Sequence, residues 1–255
     1  MLWNASSLMG YMIAATDGEI GTVDDLLFDD HDWTIRWLVV DTGTWLSGRK
    51  VLLPPEACGE PLAATRELRV NVTRQMVEES PSIDTDAPVS RLQESDVFGY
   101  YGWEPYWLGY PYATAAGMPN PVPPESAVGS LEGSDDAIAG AAPRGDPNLR
   151  SVSEVTGYYI HASDGDIGHV EDFLLDADSW ALRYLIVDTK NWWPGKKTLV
   201  SPKSFRRVNW NDGTVSTSLT KDGIKSAPEY DPAQTVDRAY EERYHDYYGY
   251  PAYWI

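Results

Sequence analysis

The stretch from Gly10 to Leu53, GYMIAATDGEIGTVDDLLFDDHDWTIRWLVVDTGTWLSGRKVLL, occurs a second time from Gly157 to Val200 as GYYIHASDGDIGHVEDFLLDADSWALRYLIVDTKNWWPGKKTLV. The two copies are offset by 147 residues, and the alignment continues without a gap as far as Trp107 and Trp254. Roughly half of the positions in these stretches are identical, so a duplicated unit is the natural explanation. The repeat therefore decides the fold, because one supersecondary unit is present twice.

The pattern within each copy predicts a small β-barrel. Short apolar segments are separated by tight turns, the first of them the Asp-Gly pairs at 17–18 and 164–165, which readily accept positive φ. An apolar spacing of three at Gly21, and at Gly168 in the repeat, predicts a β-bulge that bends the second strand. Five or six short strands with no long helix between them are typical of an antiparallel barrel.

The third strand of each copy is apolar on both faces, at Leu38–Val40 and Leu185–Val187. A strand that faced water on one side would alternate, so its outer face needs a cover. An amphipathic helix with an aromatic end follows each barrel. We expect these aromatic tails to pack on a barrel, their own or the other one, rather than to form a sugar- or protein-binding surface. They comprise Tyr100, Tyr101, Trp103, Tyr106, Trp107, Tyr247, Tyr248, Tyr250, Tyr253 and Trp254.

These patterns divide the chain into three parts. Residues 1–107 form the first barrel repeat with its aromatic helix, residues 108–150 form a linker rich in Pro, Gly and Ala, and residues 151–255 form the second repeat. The predicted fold class is mainly β: two tandem small antiparallel barrels, each followed by an aromatic-rich C-terminal helix, related by pseudo-two-fold symmetry.

The composition narrows the classes of partner. A formal net charge of −19 repels phosphate backbones, so we expect no nucleic-acid partner. The single cysteine, Cys58, corresponds to Phe205 in the repeat and is interpreted as a small core residue. Neither a signal-peptide pattern nor a run of about 18 apolar residues occurs, so we expect no membrane span and a cytoplasmic location.

At these residues the sequence resembles the PRC-barrel superfamily. The resemblance is carried by the opening Gly-Tyr, the D-G-x-I-G-x-V turn and bulge, and a strand ending in V-D-T before a Trp-containing loop. The superfamily includes the cytoplasmic barrel of the photosynthetic reaction-centre H subunit and the C-terminal domain of the ribosome maturation factor RimM. The resemblance implies an interaction or assembly module without shared catalytic residues.

The loop after the third strand is the first candidate binding site. It places tryptophan beside paired cations in an acidic protein, and could dock an anionic group or the acidic edge of a partner. The alternative is a hairpin loop whose Trp caps the barrel while its cations balance nearby aspartates. The candidate residues are Trp45, Arg49, Lys50, Trp192, Trp193, Lys196 and Lys197.

Repeated aspartates are the only other candidates for chemistry. Paired carboxylates can act in general acid–base catalysis, but several of these stand at turns, where Asp is favoured for backbone reasons. We therefore predict no catalytic residues, no metal and no cofactor. The residues are Asp17, Asp25, Asp29 and Asp41, with Asp164, Asp172, Asp176 and Asp188 in the repeat.

The function predicted from the sequence is a non-catalytic interaction or assembly module, possible roles including photosynthetic electron-transport complexes. The expected partner is a protein, and self-association of the chain is a second possibility. Two alternatives stay open: a small-molecule-binding or hydrolytic enzyme that uses the repeated aspartates, and an RNA-associated factor by analogy with RimM.

Overall fold

The computed structural model describes residues 1–83, 89–109, 146, 148–189 and 196–254. These residues form two compact units, one made of Met1–Glu79 with Asn148–Ile255 and the other of Ser80–Pro147. The first unit is mainly β and carries both copies of the repeated strand pattern. The repeat boundaries at residues 107 and 150 describe the duplication in sequence and stay a prediction.

In the part of the chain that the structure describes, the first repeat contributes six strands and three helices. Its strands are β1 Leu2–Asn4, β2 Met12–Ala15, β3 Gly18–Asp29, β4 Thr34–Asp41, β5 Lys50–Leu53 and β6 Glu67–Arg69. Its helices are α1 Ala5–Leu8, α2 Arg74–Glu79 and α3 Arg91–Tyr101, with short 3₁₀ turns at Pro55–Ala57 and Tyr106–Gly109. Of these elements, α3 and the turn that follows it belong to the smaller unit.

The second repeat has the same order of elements with one additional strand. Its strands are β7 Leu149–Ser151, β8 Tyr159–Ala162, β9 Gly165–Asp176, β10 Ala181–Asp188, β11 Lys197–Val200, β12 Phe205–Asn209 and β13 Thr214–Thr217. Its helices are α4 Val152–Val155, α5 Lys221–Ser226 and α6 Arg238–Tyr248, with a 3₁₀ turn at Pro202–Ser204.

The sheet is mixed, which corrects the prediction of purely antiparallel barrels. Most neighbouring strands are antiparallel, but β2 pairs with β6, and β8 with β13, in parallel. In the first repeat the reason is that an odd number of strands, five, runs from β2 to β6. When five strands alternate in direction, from β2 to β6, the first and the last run the same way and pair in parallel where they meet.

The bulge predicted from the apolar spacing is confirmed in both repeats. In the first, Ile13 pairs with Gly21 but Ala14 pairs with Glu19, so one residue of β3 is left over. In the second, Ile160 pairs with Gly168 and His161 with Asp166. Gly21 and Gly168 have φ values of +150° and +149°, which residues with a Cβ rarely adopt.

The two repeats exchange their N-terminal segments. Strand β1 of the first repeat pairs with β9 of the second, with Leu2 opposite Asp176. Strand β7 of the second repeat pairs with β3 of the first, with Leu149 opposite Asp29. Each of these positions is related to its counterpart by the same offset of 147 residues. The exchange makes the folding of each repeat depend on the other.

Strands β4 and β10 join the repeats at the centre of the sheet. They are antiparallel, with Thr34 opposite Ala181 at their first residues. The amide of Ile35 donates to the carbonyl of Trp180 at 2.8 Å, and the amide of Leu182 donates to that of Trp33 at 2.7 Å. The repeat offset of 147 residues relates these two hydrogen bonds, because it places Trp33 on Trp180 and Ile35 on Leu182.

The outer face of β10 is covered as the two-sided apolar pattern required. Tyr184 and Ile186 of β10 belong to one buried cluster with Tyr240 and Tyr244 of α6, and Tyr244 is fully buried. Tyr248 and Tyr250 of the predicted tail pack against this cluster, so the predicted packing of the aromatic tail is confirmed for the second repeat. The corresponding packing of α3 on the first repeat stays a prediction.

Candidate functional site

The Trp loop of the first repeat connects β4 to β5 and is folded by its own hydrogen bonds. The amide of Gly43 donates to Asp41 Oδ1 at 2.8 Å, and Thr42 Oγ1 donates to the carbonyl of Arg49 at 2.6 Å. Positive φ angles at Gly43, Ser47 and Gly48 turn the chain. The loop is thus a defined hairpin connection that presents its tryptophan at a barrel end.

Trp45 is partly exposed and is braced by a cation from a neighbouring element. The guanidinium of Arg74, the first residue of α2, lies over the indole with its carbon 4.5 Å from the ring centroid. A cation stacked on tryptophan is attracted by the ring's quadrupole, and fixes the ring without burying it. A rigid, half-open aromatic side chain of this kind is a typical anchor in protein–protein contacts.

The cations at the loop bases are held by the chain's own oxygens. Lys50 Nζ lies 2.8 Å from Asp24 Oδ2, and this hydrogen bond raises the pKa of Lys50. Lys197 Nζ lies 2.5 Å from Glu171 Oε1, at the corresponding place in the second repeat. Arg49 donates to the carbonyl of Val77 at 2.6 Å. These contacts favour the charge-balancing interpretation for the cations and leave Trp45 as the group available to a partner.

The second loop is described at its two ends, where Thr189 Oγ1 donates to the carbonyl of Lys196 at 2.6 Å. Trp192 and Trp193 lie outside the described residues. Lys196 forms an ion pair with Glu229, and both border a cavity of about 620 Å³. Lys197 and Arg243 line the same cavity, together with Asp231 and Asp237. Charges of both signs therefore line this cavity.

The bases of the two loops lie at opposite ends of the β4–β10 pair. These strands are joined at their first residues and are antiparallel, so their last residues, Asp41 and Asp188, point away from each other. At about 3.3 Å per residue, the two ends are separated by up to roughly 45 Å. The described residues at the two loop bases, Lys50 and Lys197, therefore do not converge on one site.

A buried glutamate holds each aromatic tail. It accepts a hydrogen bond from a tail tyrosine and lies beside an arginine that stacks on a tail tryptophan, an arrangement called the polar lock below. Glu241 of α6 is buried, accepts a hydrogen bond from Tyr253, and forms an ion pair with Arg238 at 3.2 Å. The guanidinium of Arg238 lies 4.3 Å from the ring centroid of Trp254. The tail is thereby folded back onto its own helix, after the left-handed residue Gly249 ends α6.

The smaller unit contains the same polar lock. Glu94 of α3 is fully buried and accepts a hydrogen bond from Tyr106 at 2.9 Å, while the guanidinium of Arg91 lies 4.3 Å from the ring centroid of Trp107. Burial raises the pKa of Tyr106. The sequence analysis missed this arrangement, although its signal was present: the spacing R-x-x-E followed by Y-W occurs at the same offset in both repeats. Both aromatic tails thus make contacts with their own helix, which is a structural role.

The repeated aspartates with described contacts act in folding the backbone. Asp17 accepts from the amide of Arg74 at 2.7 Å, and Asp164 from that of Lys221 at 2.9 Å. The side chain of each Asp-Gly turn thus satisfies the amide of the first residue of a helix, α2 or α5. Asp29 accepts from the amide of His31 at 2.9 Å. Among the described residues, no group of three or more His, Cys, Asp or Glu side chains is placed to hold a metal ion.

Asp25 and Asp172 hold the exchanged segments in place. Asp172 accepts from the amide and the hydroxyl of Ser6, at 3.0 and 2.5 Å. Asp25 accepts from the amide and the hydroxyl of Ser153, at 3.2 and 2.9 Å. Each carboxylate therefore fixes a short helix of the other repeat, which is a structural role that sequence alone did not reveal.

Replacing Asp172 with alanine is expected to lower the free energy of unfolding by about 2–3 kcal/mol, because the donors of Ser6 lose a charged acceptor. Urea unfolding followed by circular dichroism measures the change. Asp246→Ala, at an exposed position of α6, is the control and should change stability by no more than about 0.5 kcal/mol. Equal effects of the two substitutions would contradict a specific role for Asp172.

The environment of Cys58 does not favour a reactive thiol. Burial raises the pKa of the Cys58 thiol, whose Sγ lies 3.6 Å from the carbonyl oxygen of Pro54. A protonated thiol is a poor nucleophile, in agreement with its interpretation as a packing residue.

None of the helices that the structure describes is long and apolar enough to cross a membrane.

The described residues define a mainly β protein with a large mixed sheet and few helices. Residues 4–76 match the family model of the PRC-barrel domain. The first repeat therefore contains a PRC-barrel domain.

A curated relative matches part of the chain. It is a protein of Deinococcus radiodurans described as "Uncharacterized protein", which is 34% identical over 100 residues. The aligned region spans 39% of this chain and 34% of the relative. The chain thus matches about a third of that protein's length, so the similarity concerns a region and not the whole molecule.

Proposed function

We propose that the protein is a non-catalytic assembly module in which two PRC-like barrels, related by a pseudo-two-fold axis between β4 and β10, each present a Trp loop to a protein partner. Support comes from the reciprocal pairing of β1 with β9 and of β7 with β3, at registers that differ by the repeat offset. Such pairing is expected of two equivalent barrels that share one sheet.

The observation that carries the proposal is the position of Trp45. Its indole is held by Arg74 on a folded hairpin, is partly exposed, and lies at one end of the β4–β10 pair. The second loop begins after Asp188, at the other end of the pair. Two surfaces facing apart can bind two partner molecules, or two parts of one assembly, and cannot form one joint pocket.

The two alternative functions have less support. The described contacts of the aspartates, with backbone amides and serines, occupy the groups on which a hydrolytic mechanism would depend. A net charge of −19 disfavours RNA, since binding to nucleic acid depends on neutralising phosphates. We therefore propose a protein as the partner, in a cytoplasmic setting.

The test is co-purification with quantitative mass spectrometry, using the wild type, the single variants Trp45→Ala and Trp192→Ala, and the double variant. The expected result is a partner that the double variant no longer enriches, since loss of a central Trp anchor weakens binding by about 30-fold. Light scattering of the purified complex should show two partners per wild-type chain and one per single variant.

Asp178→Ala is the control, because this side chain is 88% exposed and lies in the turn before β10, at the junction of β4 and β10 and not at either loop base. It should retain the partner at both sites. An unchanged enrichment by the double variant, or no enriched protein at all, would contradict the proposal.

A further inference from the structure

A second cavity lies beside the junction of β4 and β10, and its walls combine aromatic rings with cations. Its volume is about 270 Å³, near the lower end of the range for small-molecule sites. Trp33, Pro202 and Tyr253 supply apolar walls, and Arg183 and Lys203 supply cations. All of these residues belong to the larger compact unit.

The cations of this cavity are unequally compensated. Arg183 lies 3.1 Å from Asp176 Oδ2, and its guanidinium carbon is 3.7 Å from the ring centroid of Tyr253. Lys203 Nζ donates to the carbonyl of Pro251 at 3.0 Å and forms no ion pair within the described part of the chain. Burial and the charge of Arg183 lower the pKa of Lys203. Among the described residues, the charge of this solvent-exposed lysine thus has no carboxylate opposite it.

The remaining polar groups do not supply the missing charge. His245 lies in the same cavity, where burial lowers its pKa. Its Nδ1 is 3.0 Å from the carbonyl oxygen of Pro251. Asp32 at the rim is paired with Arg36 at 2.5 Å. A ligand with a single negative charge would balance the cavity.

The duplication provides an internal comparison. The corresponding cavity of the first repeat, of about 510 Å³, keeps the framework residues Arg36 and Pro55 but has Glu56 where the second repeat has Lys203. The two cavities thus share a framework and carry opposite charge at one position.

We propose that the cavity formed by Trp33, Arg183, Lys203 and Tyr253 binds a small organic monocarboxylate, with its carboxylate at Lys203 and its apolar part between the Trp33 and Tyr253 rings. A charge-assisted hydrogen bond from Lys203 would hold the acid group. The aromatic walls favour a flat or compact apolar body over a highly hydrated one. This site is independent of the Trp loops.

The test is isothermal titration calorimetry of the full chain with benzoate, acetate, inorganic phosphate and benzyl alcohol. Benzoate is expected to bind most tightly, and benzyl alcohol, which has the ring but no charge, at least about tenfold more weakly. Binding of phosphate in preference to benzoate would overturn the assignment of a monocarboxylate. Absence of benzoate binding at millimolar concentration would overturn the site.

Two lysine variants locate the binding. Lys203→Met is expected to weaken benzoate binding at least about tenfold, because it removes the charged donor and keeps the aliphatic stem. Lys225→Met changes an exposed lysine of α5 that does not line the cavity, and should leave binding unchanged. Circular dichroism verifies that both variants are folded. Equal affinities of the wild type and Lys203→Met, or equal losses in both variants, would overturn the proposal.

Discussion

Gly21→Ala is expected to lower the free energy of unfolding by about 2–4 kcal/mol, through backbone strain combined with a steric clash. The residue has φ +150°, and an added Cβ would overlap the carbonyl oxygen of Asp41 and lie 2.9 Å from its carbonyl carbon. Gly168 makes the same approach to Asp188. At the bulge, β3 thus comes so close to the end of β4 that only glycine fits.

The control for Gly21 separates conformation from crowding. Gly43 also has a positive φ, +55°, but a Cβ there would meet nothing within 4 Å. Gly43→Ala should cost only about 1 kcal/mol, the strain of the left-handed conformation alone. Urea unfolding curves of both variants measure the difference. If Gly43→Ala cost as much as Gly21→Ala, the close approach to Asp41 would not explain the glycine.

Tyr244→Ala is expected to lower the free energy of unfolding by about 3–5 kcal/mol, because it leaves a large cavity between α6 and β10. The side chain is fully buried, and its ring centroid lies 5.0 Å from that of Tyr184. Its hydroxyl donates to the carbonyl of Leu199 at 3.2 Å, and burial raises its pKa well above the usual value. Thermal and urea unfolding measure the loss.

Tyr247 is the matched control on the same helix, with 43% of its surface exposed. Tyr247→Ala should change stability by no more than about 1 kcal/mol, since the loss is mainly a single hydrogen bond to the carbonyl of Gly223. A second variant, Tyr244→Phe, keeps the ring volume and removes the hydroxyl, and should cost about 1–2 kcal/mol. Tyr244→Ala with no larger effect than Tyr244→Phe would contradict a packing role for the helix.

Much of the fold follows from patterns that a single chain segment contains. The Asp-Gly turn, the bulge at Gly21 and the apolar third strand were predicted correctly, because each depends on local backbone freedom or on side-chain periodicity. The need for a cover over β10 followed from the same periodicity, and the aromatic helix α6 provides it. Parallel closure between β2 and β6 was not predicted, since it depends on which strands meet in space.

The candidate site was predictable in kind but not in arrangement. A tryptophan next to two cations marked the loop, but the acids that hold the cations are far away in sequence, as Glu171 and Lys197 illustrate. Lys203 and Arg183 also come together only through tertiary structure, because they lie on a loop after β11 and on β10. Nothing in their sequence spacing indicates a shared cavity.

By itself the sequence determined that one strand pattern occurs twice, where its strands bend, and which of them need cover, because these properties arise from residues close together in the chain. Tertiary structure alone decided that the repeats exchange their first strands and that Asp25 and Asp172 fix the exchanged helices. It also decided that the Trp loop bases face apart. The physical reason is that an apolar face or a free strand edge can pair with its own repeat or with the other repeat. Which of the two it pairs with depends on the three-dimensional fold.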